Sequence, residues 1–394
     1  MNFEHDVCIV GGLGHIGLPL GIVLASKGVK VCLQDINPES AEIVLNGSLP
    51  FVEYDAEPLL QEALNNKMLS ISLDPKSISE AQNIVIAIGT PVDEYMNSKT
   101  GQFLEFISQL KEYLHPEQLI IIRSSIAPNT CEQINRVLGD KYDWKLAYCP
   151  ERIVQGYAVN ELNKLPQIVS GFNENAIKEA ADLFSKIASS IIITTIKEAE
   201  LAKLFANSWR YIQFAIANQF FMICEDQGVN YDKVRNAMVE GYERASQLPS
   251  AGFAAGPCLL KDTMQISSFY QGGFHLGHSA MMINEGLPNF LVNKLKAKYE
   301  LKGRRIGILG MSFKANVDDI RDSLSFRLYK ILKFSGANVL CSDEFATNPE
   351  FVTKEEIIKS CDTIIIGAPH SQYKNISYPK NIDLVDIWNI TIQN

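Results

Sequence analysis

The residues best suited to chemistry lie in the run Gly252-Phe-Ala-Ala-Gly-Pro-Cys-Leu-Leu-Lys-Asp-Thr263. Cys258 follows a turn made by Gly256 and Pro257, and a helix is expected to start at Pro257 and continue through Met264 and Ile266. Cys258 would then sit in the first helical turn, where free backbone N–H groups and the helix dipole favour a thiolate. A free thiol titrates at about 8.5, and such a position lowers that value by roughly a unit or more. Lys261 and Asp262 lie one turn further along, placed to orient a proton or a charged ligand. The other reading of Cys258 is a small buried apolar residue, the usual state of a cysteine in a reduced protein. A second group, Lys203, Asn207 and Arg210, falls at i, i+4 and i+7 of a long helical run and so shares one face. That face suits a polar ligand, unless it is an exposed stripe.

Composition narrows the field. The 394 residues carry a net charge of -9, which argues against a general nucleic-acid or lipid-surface binder and leaves a small anionic ligand to local Lys and Arg. The eight cysteines (8, 32, 131, 149, 224, 258, 341, 361) form no C-x-x-C pair and read as reduced thiols of a cytoplasmic protein. The acidic N-terminus runs straight into a strand, so no signal peptide is expected, and no apolar run reaches the roughly 18 residues of a membrane span. His275 and His278 could share a helix face, but the six histidines are scattered and no metal site is expected.

The elements that must position these residues begin with a short apolar strand over 6–11, then Gly12-Leu-Gly-His-Ile-Gly17, a helix over 18–27, a strand over 29–34 and Asp35. Strand, G-x-G-x-x-G, helix, strand and acid in that order is a dinucleotide-binding signature. Gly12 allows the tight turn, Gly14 lets a pyrophosphate approach the backbone, and Gly17 lets helix pack on strand, with His15 and Ile16 completing the loop. Asp35 would accept from the adenosine ribose, and its charge disfavours a 2′-phosphate, so NAD is expected rather than NADP. Further strands at 83–89, 119–124, 146–149 and 167–171 end near Thr90-Pro91, Ser125 and Glu151. Ligands of a parallel, doubly wound sheet sit at such carboxyl ends.

From 197 to about 228 the chain reads as one helix without Gly or Pro, roughly 45 Å long at 1.5 Å per residue. It is apolar on more than one face (Leu201, Leu204, Phe205, Trp209, Ile212, Phe214, Ile216, Phe220, Phe221, Ile223), so it should be buried between domains or against another subunit. Helices over 231–244 and 278–299 follow, the latter bent at Pro288. Strands at 304–310, 338–342, 362–367 and 384–387, with a helix at 323–334, make a second, smaller nucleotide-binding-type domain without G-x-G-x-x-G. Lys314 and Arg321, in its strand-to-helix loop, either face the pyrophosphate of a different ligand or belong to a solvated charge run. The expected fold class is thus α/β, with two Rossmann-like doubly wound parallel-sheet domains joined by a long central helix, divided as 1–197, 198–301 and 302–394.

With these pieces placed, the chain resembles the UDP-glucose/GDP-mannose dehydrogenase family, the nucleotide-sugar 6-dehydrogenases. The resemblance runs over essentially the whole length through GLGHIGLPL (12–20), GTPVD (89–93), SSIAPNT (124–130), CPERIVQG (149–156), ELAKLFANSWR (200–210), GPCLLKD (256–262) and FKANVDDIRDS (313–323). It implies oxidation of a sugar nucleotide's C6 alcohol to a carboxylate in two NAD-dependent steps, for surface-polysaccharide precursors. It also implies a homodimer through the central helix and a UDP-sugar site in the C-terminal domain. Arg210 and the neighbouring FAIANQF resemble the branch acting on UDP-N-acetylhexosamines (UDP-GlcNAc or UDP-ManNAc), with UDP-glucose as the alternative.

Carried over, the resemblance makes Cys258 the nucleophile that captures the C6 aldehyde, with Lys203, Asn207 and Asp262 around the reacting oxygen and a water, and Glu151 as general base. Ser125 stands where threonine is usual and keeps the hydroxyl; it belongs to both the catalytic and the cofactor set. Thr90, Pro91, Lys261 and Arg321 join the cofactor set, and Glu151, Arg152, Ile153, Lys203, Asn207, Arg210, Arg244, Gly256 and Lys314 the substrate set. Gln155 replaces a second acid often found there, and Ala254 and Ala255 replace part of the usual glycine run. Arg244 corresponds to an arginine that in relatives reaches the partner subunit's sugar. A thiolate addition gives a thiohemiacetal, its oxidation a thioester, and hydrolysis the acid. A single-step dehydrogenase of the 6-phosphogluconate or hydroxyacyl type would leave Cys258 and the second α/β domain unexplained. An inactive sugar-nucleotide-binding protein would predict damaged catalytic positions, whereas Lys203, Asn207, Cys258 and Asp262 are all present.

Overall fold

The computed structural model describes residues 3–90, 92–94 and 97–391. The chain divides into two compact units, Met1–Phe205 and Ala206–Asn394, and the 31-residue helix Ile196–Asp226 begins in the first and continues in the second.

The first unit is built on an eight-stranded sheet of β1 (His5–Val10), β2 (Val31–Gln34), β3 (Leu69–Ser72), β4 (Ala81–Ile86), β5 (Leu119–Ile122), β6 (Lys145–Tyr148), β7 (Gln167–Gly171) and β8 (Ile191–Ile193), in the order β3-β2-β1-β4-β5-β6-β7-β8. Successive residues of β1 serve opposite cores: Val7 and Ile9 pack with Leu18, Leu33 and Leu119 on one face, and Cys8 and Val10 with Ile84, Ile86 and Ile122 on the other. Burial on both faces is why these strands read as unbroken apolar runs. The helix Gly17–Ser26 has nine of its ten residues buried, Gly17 to Ala25.

The sheet is not uniformly parallel, as the sequence reading expected. β7 runs antiparallel to β6, pairing Ala147 with Gly171 and Tyr148 with Ser170. The connecting stretch contains only the short helix Ala158–Leu162 and returns the chain without a crossover. It therefore stays at the carboxyl ends of the strands, where Glu151, Arg152 and Ile153 are delivered.

The second unit carries a four-stranded parallel sheet of β9 (Arg305–Leu309), β10 (Asn338–Ser342), β11 (Thr363–Ile366) and β12 (Asp383–Val385), in the order β10-β9-β11-β12. The helix His275–Lys298 includes Pro288, and its Leu287, Leu291, Val292 and Leu295 share one core with Ile306, Ile308, Leu324 and Leu328. Among the described residues no helix is long and apolar enough to cross a membrane.

Candidate active site

In the first unit the glycine-rich loop closes on the strand beside it. Gly11 and Gly12 donate their N–H groups to the Gln34 carbonyl, and Leu13 N–H donates to Asp35 Oδ2 at 2.9 Å. A Cβ on Gly17 would lie 2.3 Å from the Gly11 carbonyl oxygen, so only glycine lets the helix approach the turn. Gly14 is exposed, and a Cβ there would meet nothing closer than 3.6 Å, which leaves the helix N-terminus open to an approaching phosphate. The positive φ of the turn, 77°, falls at Gly11, whereas the sequence reading gave the turn to Gly12. Gly12 is instead the close-packing residue, since its Cβ would meet Leu33 at 2.8 Å. Asp35 Oδ1 accepts from Ile36 and Asn37, so three backbone donors hold the carboxylate. That leaves one of its roughly four acceptor positions for a ribose hydroxyl. His15, half-buried like Ile16, lies with its ring tilted 46° against that of Phe51, centroids 4.0 Å apart, and meets the Gln155 amide at 3.2 Å. At the position of the second acid, Gln155 thus makes an amide contact with His15.

At the ends of β4 and β5, the Thr90 hydroxyl donates to the Ser125 carbonyl, which joins two predicted residues; Pro91 lies outside the described residues. Ser125 itself is half-buried. Glu151 is buried, ion-paired to Arg123, and accepts from the backbone N–H groups of Arg152 and Ile153 at 2.6 and 2.9 Å. Arg152 is half-buried and donates to the Pro166 carbonyl. Arg123 escaped the sequence reading. It is fully buried at the end of β5, donates to Cys149 O and Gln167 Oε1, and has its pKa lowered by burial to about 10, so it remains charged at neutral pH. The signal was a lone charge closing the apolar run Leu-Ile-Ile-Ile-Arg123. Glu200 was likewise missed as a functional support: its carboxylate accepts from Asn129 and Cys131 N–H and ties the SSIAPNT segment to the long helix.

In the second unit, Cys258 is exposed, whereas the other seven cysteines are buried. It caps the helix Leu259–Phe269, its carbonyl accepting from Asp262 N–H at 2.9 Å. The helix therefore starts one residue after the cysteine, not at Pro257, because the Cys258 carbonyl accepts the first helical bond. The thiol still stands at the positive end of the dipole. Asp262 is fully buried, with Oδ2 2.6 Å from the Asn207 amide nitrogen and Oδ1 3.3 Å from Lys261 Nζ. Lys203 and Asn207 are both buried, one helical turn apart, while Arg210, on the same face by spacing, is exposed. The structure thus divides the expected stripe into a buried pair and a surface arginine.

The approach to Cys258 is held from below by a residue the sequence reading did not single out. Buried Asn218 of the long helix accepts from Gly252 N–H at 2.9 Å and donates to Gly252 O at 3.0 Å, and also donates to Asn284. Gly256, at φ 101°, packs so closely on Phe313 that a Cβ would lie 2.5 Å from the ring, and its N–H donates to Asp322 O. The loop keeps glycine where it meets aromatic rings; Ala254 instead fills an apolar cluster with Tyr211, Ala215 and Ala280. Arg321 is exposed and clamped by Asp319, whose hydrogen bonds raise its pKa, and Cys258 is among the groups it feels. Lys314 is half-buried, and Arg244 is exposed in the short turn Glu243–Ala245.

Three models of the UDP-glucose/GDP-mannose dehydrogenase family match in order: its NAD binding domain over residues 5–188, its central domain over 197–285 and its UDP binding domain over 307–392. The chain belongs to this family. Its members are NAD-dependent oxidoreductases of nucleotide sugars; the open glycine cradle and Asp35 lie within the matched NAD binding domain, and most of the second sheet within the matched UDP binding domain. The UDP-N-acetyl-D-mannosamine dehydrogenase of Methanocaldococcus jannaschii is 29% identical over 98% of this chain and 88% of its own length. That of Campylobacter jejuni is 28% identical over 86% of this chain and 85% of its own. Among solved structures, the UDP-ManNAc dehydrogenase of Pyrococcus horikoshii matches with a TM-score of 0.91 at 26% identity, covering 98% of this chain and 96% of that one. This places the chain beside the N-acetylhexosamine branch of the family.

Proposed function

We propose that this enzyme oxidises UDP-N-acetylmannosamine at C6 to the uronic acid, through a covalent adduct on Cys258. The observation that carries the covalent reading is the exposed cysteine at the head of a helix whose next turn holds Asp262 between Asn207 and Lys261. The choice of sugar is supported by the names of the relatives above. NAD, when bound, supplies the hydride acceptor for both oxidations, and Gly14, the helix behind it and Asp35 are the residues that would hold it.

Each residue of the set has its own part. The Cys258 thiolate adds to C6 of the aldehyde, forming a C–S bond and an oxyanion that Lys203 and Asn207 can stabilise. Loss of a hydride from C6 leaves a thioester. Water then attacks, the C–S bond breaks, and the thiolate returns to Cys258 as the carboxylate forms. Activation of the water falls to Glu151 or Asp262, the two buried carboxylates of the set. In the same reading Thr90, Ser125 and Arg321 serve the cofactor, and Arg152 and Lys314 the sugar nucleotide. The working division follows 1–197, 198–301 and 302–394, in line with the three matched family domains.

A homodimer through the long helix accords with its apolar residues left exposed in a single chain: Trp209 (56%), Ile216 (41%), Phe220 (38%) and Ile223 (52%) recur at helical spacing. Arg210 and Arg244, both exposed, then have a partner surface to meet. The reduced cysteines fit a cytoplasmic setting. The test is turnover of a panel of UDP-sugars with NAD, read as NADH and as acid product. UDP-ManNAc should give the highest kcat/KM; preference for UDP-glucose would reject the assigned sugar.

A further inference from the structure

The acids that end the second strands of the two sheets, Asp35 and Asp343, have different fates. Asp35 is half-buried and keeps an acceptor position. Asp343 has a side chain with no exposed surface. Its Oδ2 accepts from the backbone of Met311 and Ser312, and its Oδ1 from that of Phe345 and Ala346. His370 Nε2, also fully buried, lies 3.1 Å from the same Oδ2 and 3.1 Å from the Ser312 hydroxyl. Burial alone would raise the Asp343 pKa, but the His370 hydrogen bond and the backbone donors outweigh it and hold the carboxyl well below its ordinary value. Asp343 is thus closed to a ribose, and what it holds instead is an imidazole.

The other edge of that imidazole points at the loop. Asn316 N–H donates to His370 Nδ1 at 2.8 Å, so Nδ1 is the acceptor and the ring proton sits on Nε2, facing Asp343. Asn316 has a positive φ of 56°, a left-handed turn conformation that asparagine adopts readily, and the bond to Nδ1 fixes its N–H there. The next residue, Ser371, completes the clasp: its N–H and hydroxyl donate to Asn316 Oδ1 at 3.0 and 3.2 Å. Ser312 Oγ reaches the Lys314 carbonyl at 3.3 Å, so both ends of the Ser312–Asn316 turn are tied to the Asp343–His370 pair. Ser, His and Asp in mutual contact share only their composition with a hydrolytic triad, since no substrate can reach groups this deeply buried.

We propose that His370 is a positioning residue for the nucleotide sugar: its Nδ1 fixes the Asn316 amide and thereby presents Lys314, while Asp343 fixes the imidazole tautomer. This rests on the reading that the Lys314 loop meets the diphosphate of the UDP-sugar. The role explains why the acid that closes β10 is spent internally: the second domain sets its ligand loop from beneath rather than reading a ribose with that acid.

The test measures UDP affinity by calorimetry on the full-length protein, for wild type, Lys314→Ala, His370→Asn and His370→Gln, with NAD affinity as the control. An asparagine amide oxygen stands where Nδ1 stood and can accept from Asn316. A glutamine amide reaches the Nε2 position and Asp343 but leaves Asn316 N–H without its acceptor. His370→Gln should weaken UDP binding about tenfold, the effect of one lost hydrogen bond, and His370→Asn should stay within about threefold of wild type. NAD affinity should not change in either. If Lys314→Ala weakens UDP while both His370 variants bind it like wild type, or lose it equally, the positioning role is wrong and the nucleotide site stands. If Lys314→Ala leaves UDP affinity unchanged, the loop is not the nucleotide site, and the proposal falls with it.

Discussion

At the scale of single residues, Cys258 divides binding from chemistry. Cys258→Ser keeps the helix cap and the NAD cradle, so it should bind NAD as wild type does while acid formation falls by at least about a thousandfold, the cost of removing a covalent nucleophile. Rapid-quench product analysis checks this; wild-type acid production by the variant would exclude a thioester. The hydrolytic base is found by the same assay. Of Glu151→Gln and Asp262→Asn, the one that removes the base should still release NADH in a burst and then stall, with the sugar bound to Cys258 and visible by mass spectrometry. Arg123 carries a structural prediction. Arg123→Met leaves the buried Glu151 carboxylate without its ion pair, which should cost about 3–5 kcal/mol in urea unfolding. A loss below about 1 kcal/mol would show that the pair contributes little to holding the CPERIVQG segment. Asn218→Leu should cost about 2–4 kcal/mol, because both Gly252 backbone groups lose their partner inside the protein; unchanged stability would show that the loop is held by its aromatic contacts alone.

At the scale of elements, most strands were legible as short, largely apolar runs: β7 and β10 have the expected bounds, and the others moved by one to three residues at an end, β4 the most. The two edge strands of the eight-stranded sheet were not. β3 is four residues of alternating Leu-Ser-Ile-Ser, and β8 is three isoleucines, of which Ile192 and Ile193 are exposed. Neither is long enough to carry a periodicity. The β6–β7 reversal was hidden too, since a run of apolar residues has no direction. Within the site, the residues that face ligands were visible from their types and spacing, but the ones that hold them were not. Arg123, Asn218 and His370 act through partners 26 to 66 residues away in the chain, such as Cys149, Gly252, Asn284 and Asn316. Two glycines test the loops they serve. Gly17→Ala puts a Cβ against the Gly11 carbonyl and should abolish tight NAD binding in a fluorescence titration. Gly256→Ala meets Phe313 at an unfavourable φ and should lower kcat while NAD binding is kept. Unaltered NAD affinity in the first, or unaltered kcat in the second, would contradict these assignments.

At the scale of the whole molecule, the exposed apolar stripe on the long helix predicts an oligomer. Trp209→Glu with Phe220→Glu should convert a dimer to a monomer in light scattering, and a wild-type monomer at micromolar concentration would remove the proposal. The central claim is a four-electron oxidation on one active cysteine. Its most direct test is stoichiometry: limiting UDP-ManNAc, excess NAD and full conversion by the purified enzyme. Two NADH and one uronic acid per UDP-ManNAc are predicted; one NADH with an aldehyde product, or no NADH at all, would contradict the account.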